Sequence, residues 1–248
     1  TLNIVKKEEC MGAKGWSIFA GVTIIVLGTL IYFSGSNRLD VSDVDANAII
    51  AAEERNGNIG DHTLGTVGSK VVLIEYGDFQ CPGCAGSYAP LKALVEKYGD
   101  NMLFIFRHLP LSEIHQHSRA AAATAEAAGK QGKFWEMSGK LFTGQNAWKN
   151  LSAAERSATF SDYATELGLD MATFERDLAS EAITQKINFD QAVFRTTGLQ
   201  KSTPAFILNG KQLTANATDE AFEKAIREAI TSAGGTLPPE DTSAKASE

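Results

Sequence analysis

A short apolar β-branched run, Val71-Val72-Leu73-Ile74, leads within seven residues into Cys81-Pro82-Gly83-Cys84, and a stretch of helical spacing follows at once. This strand, turn and helix constrain the chain more than any other feature. Val71 to Ile74 reads as a strand buried on both faces of a sheet. From about Pro82 to Tyr98 the apolar residues Tyr88, Leu91, Leu94 and Val95 fall on one helical face, and Gly99-Asp100 supplies a stop. A second apolar run, Met102 to Phe106, completes a parallel βαβ unit.

Downstream, about Ser112 to Thr197 reads as helices: an alanine-rich one through Ala128, another around Phe134 to Phe142, and more from Ser152. Phe134, Trp135, Phe142, Phe160, Phe174 and Phe194 are expected to pack them. Strand character returns at Ala205 to Leu208, followed by Asn209-Gly210, a type I′ hairpin signal, and Lys211 to Thr214. A last helix is expected over about Asp219 to Ser232. The order is a β-α-β half and a β-β-α half separated by a helical insertion.

The cysteine placement carries chemistry. The first amides of a helix lack internal partners and, with the helix dipole, stabilise an anion there, so the Cys81 thiol should ionise easily. Pro82 suits the first helical position. Cys84, one turn inside, is shielded and less acidic, which makes Cys81 the attacking and exposed sulfur and Cys84 the resolving one. A zinc site needs two further ligands; the third cysteine, Cys10, lies across the membrane by the orientation given below, and nothing in the sequence brings His115 or His117 close. A structural disulfide is the other alternative. Glu75, at the end of the apolar strand, is placed to exchange a proton with Cys84 if buried, and is otherwise an exposed strand-end carboxylate. Thr203-Pro204 precedes the third strand; a cis proline there offers backbone to a peptide beside Cys81, whereas a proline at a strand start is more often trans. His62, His108, His115 and His117 are expected in local capping or surface roles.

Gly15 to Asn37 contains no charge, and its length of about 23 residues could reach roughly 34 Å, enough for a hydrocarbon core of about 30 Å. Trp16 and Tyr32 lie near its ends. Lys6, Lys7 and Lys14 precede it, while Arg38 and then Asp40, Asp43 and Asp45 follow, which places the N-terminus in the cytoplasm by the positive-inside rule. An uncleaved signal anchor is favoured over a cleaved secretory signal ending near Ser34-Gly35-Ser36. Residues 1–14 then form a cytoplasmic N-terminus, 15–37 the transmembrane anchor, 38–69 a stalk and domain entry with a short helix around Val44 to Arg55, and 70–233 the folded domain. Residues 234–248 read as a disordered tail. Cys10, alone on the cytoplasmic side, is expected to be a reduced thiol. The net charge of -7 argues against a nucleic-acid partner.

Taken together, Val72-Leu73-Ile74-Glu75-Tyr76-Gly77-Asp78-Phe79-Gln80-Cys81-Pro82-Gly83-Cys84, Phe106-Arg107-His108-Leu109-Pro110-Leu111, Gly132-Lys133-Phe134-Trp135-Glu136 and Ser202-Thr203-Pro204-Ala205-Phe206 resemble the DsbA-like branch of the thioredoxin superfamily. The resemblance covers about residues 60 to 232. It implies an α/β thioredoxin fold with a helical insertion at about 112–197, a nucleophilic Cys81, a resolving Cys84, a buried acid at Glu75 and a cis peptide at Pro204. It also implies an enzyme that introduces disulfides into exported proteins with free cysteines, using the redox-active pair Cys81/Cys84 and no other cofactor or metal. Reoxidation would come from a quinone-linked membrane partner of the DsbB or vitamin-K-epoxide-reductase kind. Gly83 departs from the pattern, because strong oxidants of this group carry histidine there; that leaves a reductase or isomerase direction, or a non-catalytic client-binding module, as alternatives.

Overall fold

The computed structural model describes residues 13–36, 39–54, 56–214 and 216–239. The chain divides into two units, residues 1–40 and Val41–Glu248. In the first, helix α1 spans Ala13–Ser36, and its described side chains, 16–29, are exposed. Among the described residues no helix is long and apolar enough to cross a membrane. Cys10, Lys6, Lys7 and the residues beyond 239 lie outside the described residues.

The second unit is built on a five-stranded sheet, ordered β1-β3-β2-β4-β5, from β1 (His62–Gly65), β2 (Val72–Gly77), β3 (Leu103–His108), β4 (Ala205–Leu208) and β5 (Lys211–Leu213). Strands β2 and β3 are parallel, joined by α2 (Pro82–Tyr98), and the remaining pairs are antiparallel. The expected hairpin is present: Asn209 and Gly210 both take positive φ, 48° and 77°, as the turn requires. Alternation along the strands separates two cores. Leu73, Phe104, Phe106, Phe206 and Leu208 face one side with α2 and α9 (Glu220–Ser232). Ile74, Tyr76, Ile105 and Ile207 face the other with Phe194 of α8 (Glu181–Thr196).

Between β3 and β4 lie α3 (Ser118–Gly129), α4 (Phe134–Thr143), α5 (Gln145–Trp148), α6 (Ala153–Glu166), α7 (Met171–Leu178) and α8, the expected helical insertion. Ser152 caps α6 in a reciprocal capping box with Glu155, which explains why that helix starts there. Phe134, Phe142, Phe160, Phe174 and Phe194 are buried, and Trp135 is half-buried.

The stalk reading of residues 38–69 is corrected. From Val41 onward this segment belongs to the folded unit, and β1 extends the sheet by pairing with β3. The expected helix around Val44 to Arg55 is, over its described residues 44–54, a run of turns instead. Its backbone is used elsewhere: the carbonyls of Ala46 and Ala48 accept from the Arg107 guanidinium at 2.5 and 2.6 Å, and the Ile50 amide donates to Asp61. A helix would need those groups for its own ladder. The tail also begins later than expected, since Leu237 packs against the core and Asn101 donates to the Thr236 carbonyl.

Arg107 is the outer end of a buried charge cluster. It pairs with Asp61 at 2.7 Å; Asp61 also meets Lys186, and Lys186 meets Asp190 at 2.7 Å, all four side chains at 0% exposure. Burial pushes Asp61 up, but Lys186 and Arg107 outweigh it and hold the carboxyl below its ordinary range. On the next residue after Arg107, His108 lies 2.7 Å from Glu126, which also lies 3.0 Å from His62. The bland reading of these two histidines is therefore also corrected: His108 is buried, and His62 stacks on Phe134.

Candidate active site

Helix α2 begins where β2 runs out, and Cys81 is its N-cap residue with Pro82 at the first helical position. No side-chain oxygen caps this helix end, so the cysteine sulfur itself is the nearest anion acceptor for the open amides. The fold brings the sequence-predicted residues to this point. The peptide bond between Thr203 and Pro204 is cis, and the Cys81 thiol donates to the Thr203 carbonyl at 3.2 Å. A Cβ at Gly83 would lie 3.0 Å from Pro204 Cδ, so the turn and the proline loop are in close contact. This loop covers the first cysteine: Cys81 is 7% exposed, more shielded than the turn alone suggests.

The two sulfurs differ sharply. Hydrogen bonding from Cys84 lowers the Cys81 thiol, burial opposes it, and the Thr203 hydroxyl with the amides of Cys84 and Gly83 adds further support, leaving it depressed to about 5. The Thr203 hydroxyl is buried without a hydrogen-bond partner, and the sulfur, once ionised, is the acceptor it can donate to. Burial drives Cys84 the other way, well above the usual thiol range, reinforced by its bond to Cys81 and by the Glu75 charge. Glu75 is buried at 4% exposure and pushed up to about 8, first by burial and then by the Cys81 charge. A Cβ on Gly77 would fall 2.5 Å from the Phe106 ring and 3.2 Å from Glu75 Oε1, so only glycine leaves room there. Glu75 also lines a mostly apolar cavity of about 300 Å³ with Tyr88, Phe106 and Trp135.

Several residues that sequence reasoning missed hold the turn. The Asp78 carbonyl accepts from the Cys81 amide, and its amide lies 3.5 Å from the Cys84 sulfur. One Asp78 oxygen accepts from the Gln80 amide; the other accepts from the Leu111 amide and lies 2.8 Å from His115 Nδ1. Gln145, buried in α5, donates to the carbonyls of Phe79 and Cys81 at 2.8 and 3.0 Å, and Gln80 donates to Lys149. The insertion thus clamps the cysteine turn from behind. Polar residues flanking the motif were the available signal for Asp78 and Gln80. Gln145 lies 64 residues away from Cys81 and gives none. Among the described residues no group of histidine, cysteine or carboxylate side chains is placed to hold a metal ion.

The family model described as Thioredoxin matches residues 57–228, most of the chain. This chain belongs to the thioredoxin family. Residues of this thioredoxin-family chain are also similar to part of a Na(+)/H(+) antiporter NhaA 1 of Salinispora arenicola, 34% identical over 181 residues, covering 73% of this chain and 26% of that protein. A Na(+)/H(+) antiporter NhaA of Herminiimonas arsenicoxydans is 37% identical over 156 residues, covering 62% and 23%. The chain spans about a quarter of the length of the curated relatives it matches.

Solved structures share the thioredoxin-like fold. Alpha-DsbA1 of Wolbachia pipientis superposes with a TM-score of 0.61 at 22% identity, covering 70% of this chain and 92% of that one. BdbD of Bacillus subtilis gives 0.60 at 21%, covering 75% and 99%. A thioredoxin-like oxidoreductase of Silicibacter pomeroyi gives 0.56 at 23%, covering 73% and 97%.

Proposed function

We propose that this thioredoxin-family chain is a thiol-disulfide oxidoreductase that oxidises cysteine pairs in exported proteins. The observation that carries the reading is the split between its sulfurs, Cys81 depressed to about 5 and Cys84 raised well above the usual range. In the oxidised enzyme a client thiolate attacks Cys81 Sγ, the Cys81–Cys84 bond breaks, and Cys84 leaves with the electron pair. Glu75, neutral below about pH 8, supplies the proton that the poorly acidic Cys84 takes up. A second client thiolate then attacks the client sulfur of the mixed disulfide and expels Cys81 as thiolate. The client loses two electrons and the Cys81/Cys84 pair gains them. The stable Cys81 anion favours that outcome, because it stabilises the reduced enzyme and makes its disulfide oxidising.

The charge-free stretch over Gly15 to Asn37 supports an anchor with the N-terminus cytoplasmic and the catalytic unit outside, where disulfides persist. The resulting dithiol calls for a membrane oxidant of the quinone-linked class to accept its electrons. No resident metal or cofactor is needed beyond the cysteine pair. The antiporter relatives favour a second reading, in which the same exchange chemistry serves a membrane transporter rather than general clients.

Equilibration of the full chain with glutathione buffers tests the assignment. The expected potential lies well above about −270 mV, thioredoxin's value. A potential at or below that figure would make the protein a reductant and reverse the proposal. In parallel, Cys84→Ala should accumulate mixed disulfides that Cys81→Ala does not.

A further inference from the structure

A cavity of about 620 Å³ opens beside the proline loop, between Leu109-Pro110 and the segment Gly198 to Lys201. In a protein of net charge -7, it is lined by three cations, Arg119, Arg195 and Lys201, against one carboxylate, Glu113. Lys201 and Glu113 pair with each other across the rim at 2.8 Å. Among the described residues the two guanidinium groups have no such neutralisation. Arg119, half-buried on α3, is held by neutral amides of α8: it donates to Asn188 at 2.7 Å and points toward Gln191, which in turn donates to the Pro110 carbonyl. Arg195, exposed in the last turn of α8, has no carboxylate partner among the described residues. One guanidinium is thus fixed at a concave site and a second stands exposed on its rim, neither with a carboxylate partner among the described residues, an arrangement that selects an anion.

The place of the cavity says which anion. Lys201 stands two residues before Thr203, about 7 Å of extended chain at most, and the Thr203 carbonyl lies 3.2 Å from the Cys81 sulfur. The opposite wall is tied to the same centre, since the Leu111 amide and His115 both meet Asp78. Ile114, 73% exposed, adds an apolar group beside Glu113. A polypeptide whose cysteine sits at Cys81 and whose backbone follows the Thr203 edge passes this cavity within a few residues, and Ile114 suits a side chain rather than a small inorganic ion. We infer that the Arg119/Arg195 cavity is a specificity subsite that takes acidic side chains of the client polypeptide, two to four residues from the cysteine being exchanged. This deepens the exchange reading and rests on it for the client's position.

The test uses the full chain and three matched peptides with serine in place of the reactive cysteine, carrying Glu-Glu, Gln-Gln or Lys-Lys at the flanking positions. Equilibrium binding should favour the acidic peptide over the neutral one by about ten-fold, with the basic peptide weaker still. The preference should collapse when ionic strength rises from about 0.1 M to about 1 M, where the screening length falls from about 10 Å to about 3 Å. Arg195→Gln, at an exposed position, should lose part of the preference and Arg119→Gln/Arg195→Gln all of it. Equal affinities for the three peptides overturn the subsite, as does equally tight binding of free glutarate, which would mark a small-anion site. Reaction with hydroxyethyl disulfide, which is uncharged, reads the thiol chemistry separately. It should proceed at unchanged rate in both arginine variants; its absence in the wild type, with the peptide preference intact, sinks the exchange reading and leaves the acidic-peptide site standing.

Discussion

The Cys81 sulfur lies 3.2 Å from the Thr203 carbonyl and within reach of the Thr203 hydroxyl, so one residue offers it an acceptor when protonated and a donor when ionised. Thr203→Val keeps the carbonyl and removes the donor. The Cys81 titration midpoint, followed by the ultraviolet absorbance of the thiolate, should rise from near 5 by up to about one pH unit, the scale of a single hydrogen bond. An unchanged midpoint would show that Cys84 and the helix amides hold the anion without the Thr203 hydroxyl.

Gly83 marks the second lever on the same sulfur. In Gly83→His an imidazole is placed beside the thiolate, and the Cys81 midpoint should fall below that of the wild type, with a more oxidising potential. The new side chain must also displace Pro204, whose Cδ stands 3.0 Å from where its Cβ would lie. A modest loss of melting temperature should accompany the shift. Matching titration curves for the two proteins would count against an imidazole effect.

Glu75 makes stability depend on pH in a direction opposite to most carboxylates. Its folded value, about 8, is above the usual 4.5, so the folded state holds a proton that the unfolded chain has released. The favourable situation therefore exists below about pH 4.5 and is lost as pH rises toward 8. Each pH unit in that window is worth about 1.4 kcal/mol, so burial of Glu75 costs on the order of 3 kcal/mol at pH 7. Glu75→Gln should unfold at higher denaturant than wild type at pH 7, with the advantage shrinking toward pH 5. Client oxidation should slow at the Cys84 step. A variant as pH-sensitive as its parent would place the titration elsewhere.

Arg107→Met leaves Asp61 short of a partner and exposes the Ala46 and Ala48 carbonyls to an apolar side chain. Breaking one member of a buried pair typically costs about 3–5 kcal/mol, and denaturant unfolding should register it at that scale. The Cys81 midpoint should stay near 5, because the cluster approaches the other face of the sheet.

The parts of this fold legible in the sequence are those written in neighbouring residues. Helix α2 starts at Pro82 and ends at Tyr98 because a proline opens it and Gly99 follows, and the Asn209-Gly210 hairpin follows from the positive φ those residues tolerate. Glu75 was legible from its position at the end of an apolar strand. What escaped was decided across distance. Lys186 and Asp61 meet over 125 residues, His62 and Glu126 over 64. Residues 41–61 look like linker because their polar groups find partners only once β3 is in place. The i,i+4 pair Lys186 and Asp190 on an otherwise apolar helix face was the one local hint.

That same lead-in has a mechanical side. Arg107 grips the backbone at Ala46 and Ala48 and the side chain of Asp61, all before the first strand begins. A tug arriving along the chain from its N-terminal side would load this guanidinium knot in shear before it could peel β1 from β3. The knot acts as a strain relief for the strand behind it, upstream of the β2 end that carries the cysteine turn.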